Sequence, residues 1–297
     1  MARSARFFLS RVVKLGNLDA EGVAKALRES VSIESRDFAW TIVNTVEGEI
    51  TYRSVRHPYL AGYLAKYEPE AVVEVIDPPT HKVRIQPEPN MQRGRSLFVY
   101  FPSHAIFGHH HVWNEIRAQD FRARCAELIE AYHGGFFVEC ELYPVADYAR
   151  FVHRLATLDE VVELQASVTP PNPLFSVFWA DLKRYVLDRR LKRMQIREAA
   201  RSGSSVPTTA PEIARKIEAG TVNEQTPAPI GDAAILMAAD GYGSAEVTGR
   251  ADGQLTVVKT KDNAVQLKLD ADVTAQELAG AVVRQVVALN RARKLKH

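Results

Sequence analysis

The sequence predicts an α+β protein with a large N-terminal body and a small C-terminal unit. Segments rich in β-branched residues alternate with segments of helical periodicity in the first 200 residues, which is typical of a mixed fold. A strand, a helix and a second strand follow one another over residues 136–168. A stretch rich in Ser, Thr, Pro and Gly then separates the two parts. Domains are therefore predicted at residues 1–200 and 231–297, with a linker at 201–230.

The body is predicted to begin with strands and one amphipathic helix. β-branched and apolar runs predict strands at residues 39–46, 71–76 and 97–101. Apolar side chains at helical spacing predict a helix over residues 116–132, whose buried face would hold Phe121, Cys125, Leu128 and Ile129. Two glycines follow at 134 and 135 and are expected to end this helix.

The strand–helix–strand run resembles half of a ferredoxin-like sandwich. Its strands are predicted at residues 136–142 and 161–168, and its helix at 145–156. In such a unit the two strands are parallel neighbours and the helix crosses over them right-handedly.

Residues 174–200 contain neither Gly nor Pro and predict one long basic helix. Within residues 181–201, eight Lys or Arg stand against three acids. The predicted binding residues, on this helix and at the C-terminal end, are Lys183, Arg184, Arg190, Arg193, Arg197, Arg293 and Lys294. Such a ridge can contact the phosphates of a nucleic acid. It can equally be a solvated helix face whose arginines meet carboxylates elsewhere, and both interpretations stay open.

The C-terminal part is predicted to hold a small sheet with helices around it. Its strands are expected at residues 245–249, 254–260 and 264–269. Its helices are expected at residues 211–219, 232–239 and 274–293. Thr274 and Glu277 form a capping-box pattern at the start of the last helix. The Asp-Gly-Tyr-Gly turn at 240–243 is either a nest for an anion or ordinary turn chemistry.

Histidines form the main candidate catalytic group. Of the three consecutive histidines at residues 109–111, the outer two would share one face of a strand. A carboxylate from Glu115 or Glu139 could complete a metal or acid–base site. The candidate catalytic residues are His104, His109, His111 and Glu115, with His110 as a further member of a nuclease-like group. The competing interpretation is a polar turn in which two imidazoles face solvent and one packs.

The charge distribution excludes a uniformly basic binder. Lys and Arg number 38 against 36 Asp and Glu, which gives a net charge of +2. Residues 3–14, 181–201 and 284–297 carry +4, +5 and +5, so the remainder carries −12. Three basic segments on an acidic body leave a locally basic binding surface open.

Other classes are excluded by missing motifs. The two cysteines, Cys125 and Cys140, form no C-x-x-C pair, which excludes a disulfide framework and an all-cysteine zinc site. Phosphate-loop, dinucleotide-binding, hydrolase-elbow and zincin motifs are absent, so no cofactor is predicted. Without a secretory signal or a long apolar stretch, we expect a cytoplasmic protein with no membrane partner.

A Pro171-Asn172 corner is followed by a charged segment and then by a hairpin with Gly241, Tyr242 and Thr260. In these features residues 95–270 resemble a bacterial family of unknown function, the one numbered four thousand seven hundred and forty-seven. Lys259 stands where the family has Ser, and no acid follows the corner. The family's opening His-Pro is not found near the N-terminus. The resemblance implies an accessory protein of anti-phage or mobile-element context, with no established catalytic residues.

Three functions are compatible with these patterns. The leading hypothesis is a bacterial accessory protein that binds a protein partner, a second copy of itself or a nucleic acid through basic surfaces, without catalysis. The first alternative is a histidine- or metal-dependent nuclease or toxin centred on residues 104–111. The second alternative is a structural subunit of a larger assembly.

Overall fold

The computed structural model describes residues 4–135, 138–169, 180–189, 191, 193–221 and 228–293. Strands and helices are mixed along the chain, as predicted. The described strands are β1 (Ser4–Gly16), β2 (Ile33–Ser35), β3 (Phe38–Tyr52), β4 (Val55–Glu68), β5 (Val72–Asp77), β6 (Lys82–Pro87), β7 (Met91–Phe101), β8 (Ile106–His111), β9 (Val138–Pro144), β10 (Glu160–Val168), β11 (Met194–Ala199), β12 (Gly243–Ala251), β13 (Gln254–Lys259) and β14 (Gln266–Asp270). The described helices are α1 (Ala20–Arg28), α2 (Ala118–Tyr132), α3 (Tyr148–Ala156), α4 (Ala180–Asp188), α5 (Ala210–Ala219), α6 (Ile230–Met237) and α7 (Ala275–Arg293).

The chain divides into two units whose boundaries cut across the predicted domains. Unit 1 comprises Met1–Phe7, Gly16–Glu141 and Lys268–Gly280. Unit 2 comprises Phe8–Leu15, Leu142–Leu267 and Ala281–His297. The predicted body therefore contributes to both units, and so do the last thirty residues.

Unit 1 is built on an antiparallel sheet with the order β8-β7-β4-β3-β2. Helix α2 packs on β3 and β8, and its four predicted core residues are buried. Phe98, Phe107 and Phe121 contact one another with ring centroids about 6 Å apart, from 5.6 to 6.0 Å. The apolar face of α2 thus packs on the strand side chains that point towards it, and together they form one core over the sheet.

Between β4 and β7, the chain forms a separate two-stranded sheet, β5–β6. Its antiparallel register runs from Val72 opposite Pro87 to Asp77 opposite Lys82. The predicted strand at 71–76 is confirmed here, whereas its partner β6 was not predicted.

Unit 2 contains a four-stranded antiparallel sheet with the order β11-β10-β12-β13. Helix α6 packs on β10 and β12, and α3 packs against α5. Helix α5 lies in the predicted linker, yet Val206, Ala210, Ile213 and Ala214 are buried in the core of this unit. The helix ends, as predicted, at Gly220, which adopts the left-handed conformation with φ 65°.

The predicted ferredoxin-like pairing is not found among the described residues. Strand, helix and strand occur in the predicted order as β9, α3 and β10. However, β9 pairs with β1, and β10 pairs antiparallel with β11 and β12. Strand β14 likewise pairs with β1 instead of with β13, so the C-terminal strands form no sheet of their own. Local pattern finds strands, but it does not choose their partners.

The prediction of one long basic helix is wrong for its second half. Helix α4 ends at Asp188, and Met194–Ala199 is strand β11 at the edge of the sheet. Met194 is buried and Ile196 half-buried, while Gln195 and Arg197 are exposed, so the segment also has the alternation of a strand. Hydrogen bonding to β10 overrides the helix propensity of its Gln, Arg and Glu residues. The Pro-Asn corner at 171–172 and residues 174–179 lie outside the described residues.

We expect Gly243 to be the most sensitive glycine of unit 2. A Cβ added there would stand 1.9 Å from the carbonyl oxygen of Ser167 in β10, which is backbone and cannot move aside. Gly243→Ala should lower the free energy of unfolding by about 3 kcal/mol or more, measured by urea denaturation.

Gly253→Ala is the matched control. Gly253 also has a positive φ, 76°, but an added Cβ meets no described atom within 4 Å. This variant should lose only about 1 kcal/mol from left-handed strain. Equal losses in the two variants would show that the close approach of β12 to β10 is not the constraint.

Candidate functional site

The three consecutive histidines lie on β8 and alternate between the two faces of the sheet in unit 1. The buried imidazole of His109 stacks on the Phe121 ring of α2, with centroids 4.0 Å apart and planes 3° apart. His110 points the other way and stacks on Phe7 at 4.8 Å. The amide of Ala118, at the start of α2, donates a hydrogen bond to Nδ1 of His111 over 3.2 Å. The three imidazoles therefore hold β8 to its neighbours.

All three imidazoles are driven towards the neutral form. Burial lowers the pKa of His109 well below its usual value, and the positive charge of Arg122 lowers it further. Burial and the neighbouring His111 lower the pKa of His110. Burial, Arg6 and Arg117 lower the pKa of His111. An acid–base catalyst needs a pKa near the working pH, so these shifts do not favour that role.

The other predicted catalytic residues engage different partners. His104 lies in the turn between β7 and β8, and its Nε2 is 3.2 Å from Nδ1 of the buried His57 on β4. Glu115 forms an ion pair with Lys66 over 3.2 Å. Glu139 lies half-buried on β9. Sequence reasoning did not connect His57 to this group because only the tertiary fold brings β4 to that turn.

A metal centre is not assembled by the part of the chain that the structure describes. Within those residues, no group of three or more His, Cys, Asp or Glu side chains lies in a position to hold a metal ion.

None of the described helices is long and apolar enough to cross a membrane.

The predicted basic residues are dispersed over three elements. Lys183 and Arg184 lie on α4, Arg193 directly precedes β11, and Arg197 lies on β11. Arg293 ends α7, and Arg190 and Lys294 lie outside the described residues. The predicted ridge of one continuous helix therefore does not exist in this form.

On the open face of the four-stranded sheet, basic side chains pair with acids across the strands. Among the described residues these ion pairs are Arg197–Glu163 at 2.8 Å, Lys259–Glu246 at 2.9 Å and Arg250–Glu160 at 2.5 Å. Pairs this exposed contribute little to stability, but they cancel the positive field that a phosphate backbone would meet. An open cavity of about 500 Å³ beside β11 is likewise lined by Glu198 as well as Arg197 and Arg201.

Sequence reasoning missed a buried arginine in unit 2. Nε of Arg11 donates to the Asp240 carbonyl over 2.9 Å, and Nη1 donates to the Tyr242 hydroxyl over 2.8 Å. The guanidinium also lies 4.9 Å from the centroid of the Tyr242 ring. Gly241 adopts φ 87°, and a Cβ there would approach Arg11 to 3.2 Å. The turn that was a candidate anion nest thus binds a cation from the same unit.

The most exposed apolar surface is one face of the β5–β6 hairpin. Strand alternation and the antiparallel register place Val72 with Pro87, Glu74 with Ile85, and Ile76 with Val83 on this side, which we call the hairpin face. Its large apolar side chains are widely exposed: Val72 59%, Ile76 73%, Val83 60% and Ile85 72%. The opposite side carries the Arg84–Asp77 ion pair. Five of the ten large exposed apolar side chains in the described residues lie on this hairpin.

Comparison with known proteins adds no family. A scan against protein-family models finds no match, and a search of the curated proteins finds none that matches significantly. The resemblance noted from the sequence stays a prediction.

The neutral His109 makes stability depend on pH. The unfolded chain protonates this imidazole near pH 6.5, whereas the folded chain keeps it neutral to much lower pH. The unfolded state therefore binds more protons below pH 6.5, and stability falls as the pH is lowered through that value. Between roughly pH 7.5 and 5.5, His109 should account for a loss of about 1.4 kcal/mol.

His109→Phe tests this, since a phenyl ring can keep the stack on Phe121. Urea denaturation at both pH values should show a smaller pH dependence than in the wild type, by about the amount stated. The control is His81→Asn, an exposed position with a positive φ of 53° that asparagine tolerates. An unchanged pH dependence in His109→Phe would contradict a buried neutral imidazole.

Proposed function

We propose that the chain is a non-catalytic accessory protein that acts by binding a protein partner through the hairpin face. The bacterial anti-phage or mobile-element context belongs to this proposal and is supported by the sequence resemblance alone. The observation that carries the proposal is the concentration of exposed apolar side chains on a two-stranded hairpin, beside which the structure describes no other strand.

Exposing these side chains is costly, which supports a binding role. Removing apolar surface from water contributes about 25 cal/mol per Å², and an isolated two-stranded hairpin is only marginally stable. Contiguous apolar patches of this kind on a protein surface typically mark interaction sites. A partner that covers the hairpin face would stabilise the hairpin and gain affinity from the same contact.

The histidine segment supports the non-catalytic part of the proposal. His109 and His110 fill the two sides of the sheet as stacking partners, and His111 accepts a hydrogen bond at a helix start. Each role uses the imidazole as a structural group, and the lowered pKa values keep it neutral. The nuclease alternative therefore lacks an acid–base candidate among these three residues.

The charge of the hairpin favours a protein over a nucleic acid. Residues 70–88 contain four acids and two basic residues, for a net charge of −2. This surface repels phosphates. Both a transient partner and a permanent assembly would use it in the same way, so the structural-subunit alternative differs only in the lifetime of the complex.

Site-specific photo-crosslinking in the native cells tests the proposal. A photoreactive residue replaces Val83 on the hairpin face or, as the matched control, Gln86 on the opposite side of the same strand. Because the partner covers only the hairpin face, Val83 should yield a discrete protein adduct and Gln86 little or none, as measured by immunoblotting and mass spectrometry.

Two results would overturn the proposal. One is the absence of a protein adduct from Val83 and also from Val72 and Ile85. The other is an adduct with nucleic acid in place of protein.

A further inference from the structure

The chemistry of the hairpin face restricts what can cover it. We infer that the hairpin face receives an amphipathic helix of the partner, carrying one basic residue that pairs with Glu74. This inference rests on the proposed function and adds the kind of segment that the hairpin binds.

A helix can cover the hairpin face better than an additional strand can. An additional strand would pair with the free edge of β5 or β6 and would leave the hairpin face exposed. A helix lying along the ribbon covers the face directly. Strands of six residues span about 20 Å, which a helix of about 13 residues matches at about 1.5 Å per residue. Apolar residues three or four apart would then contact Val72, Ile76 and Ile85.

Glu74 determines the charge of the occupant. Glu74 lies at the middle of the hairpin face, opposite Ile85 and two residues from both Val72 and Ile76. In the described part of the chain, Glu74 has no ion-pair or hydrogen-bond partner, and it is exposed. An occupant that contacts Val72, Ile76 and Ile85 together also covers Glu74, and a charge withdrawn from water is tolerated only when it is paired. A Lys or Arg on the helix supplies that partner.

The same argument disfavours a second copy of the chain. The hairpin face contains five apolar residues and Glu74, with no basic residue among them. Two such faces packed together would bury two carboxylates without a counter-charge. Lys82 and Arg84 lie on the opposite side of the ribbon, where Arg84 pairs with Asp77.

A display selection on the full-length chain tests the inference. The probe is a library of randomised 14-residue peptides in a helical scaffold, selected on the wild type and on Ile76→Ser/Ile85→Ser. We expect the wild type to enrich sequences with apolar residues three and four apart and one Lys or Arg between them. The double variant should lose this enrichment, and the consensus peptide should bind it at least tenfold more weakly in fluorescence anisotropy.

A charge exchange isolates the role of Glu74. The Glu74→Lys variant should bind the basic consensus peptide at least tenfold more weakly than the wild type does. When the basic residue of that peptide is replaced by Glu, the variant should bind the new peptide tenfold more tightly than the wild type does. The matched control is Val75→Ser/Gln86→Ser, which changes the opposite side of the same ribbon and should leave both affinities unchanged. All these positions are exposed, so the fold is expected to survive, as circular dichroism will verify.

Several results would overturn the inference. They are a selection that enriches nothing, consensus peptides without a basic residue, enrichment that survives Ile76→Ser/Ile85→Ser, or a hairpin-dependent dimer in sedimentation equilibrium. If photo-crosslinking from Val83 still yields another protein, the proposed function stands and only the helical basic occupant is wrong. If crosslinking fails as well, both are wrong.

Discussion

Each antiparallel sheet that the structure describes has at least one apolar face that water would otherwise contact, and the remaining structure depends on how that face is covered. In unit 1, α2 covers the sheet with Phe121 and its neighbours. In unit 2, α6 covers β10 and β12, and the supposed linker contributes α5 to the same core. The β5–β6 hairpin has an apolar face of the same kind and remains exposed. The proposed binding function rests on this difference, because contiguous exposed apolar patches typically mark interaction sites.

Covering the other faces explains why the chemically attractive residues serve as structural groups. A strand at the centre of a sheet directs alternate side chains into packed layers, so His109 and His110 meet Phe121 and Phe7. Burial then disfavours the charged imidazole. On the open face of the four-stranded sheet the side chains are exposed instead of buried. Its basic side chains therefore stay in water and pair with acids across the strands. The buried Arg11 is tolerated because a carbonyl and a hydroxyl accept its hydrogen bonds.

Local signals in the sequence located several elements well. The helical spacing of Phe121, Cys125, Leu128 and Ile129 gave α2, and the capping box of Thr274 and Glu277 marked the start of α7. Gly220 ended α5 as expected. The prediction of a helix was wrong for the second half of residues 174–200 because Met194–Ala199 fits both a helical and an alternating pattern. Strand β6, Lys-Val-Arg-Ile-Gln-Pro, alternates clearly, and pairing it with residues 71–76 across the turn would have revealed the hairpin.

The sequence by itself determined which residues are apolar, where several helices begin and end, and that charge is unevenly distributed. These properties arise from neighbours along the chain, within one helical turn or one strand. Only the tertiary structure decided that β9 and β10 do not pair with each other, that His57 meets His104, and that Arg11 meets the turn at Asp240. Such contacts join residues tens to hundreds of positions apart, and they are selected by burial and hydrogen bonding of the whole unit. The hairpin face depends on both the sequence and the tertiary structure. Its alternation of apolar and polar residues is a property of the sequence, whereas its exposure results from the fold, which leaves this face uncovered.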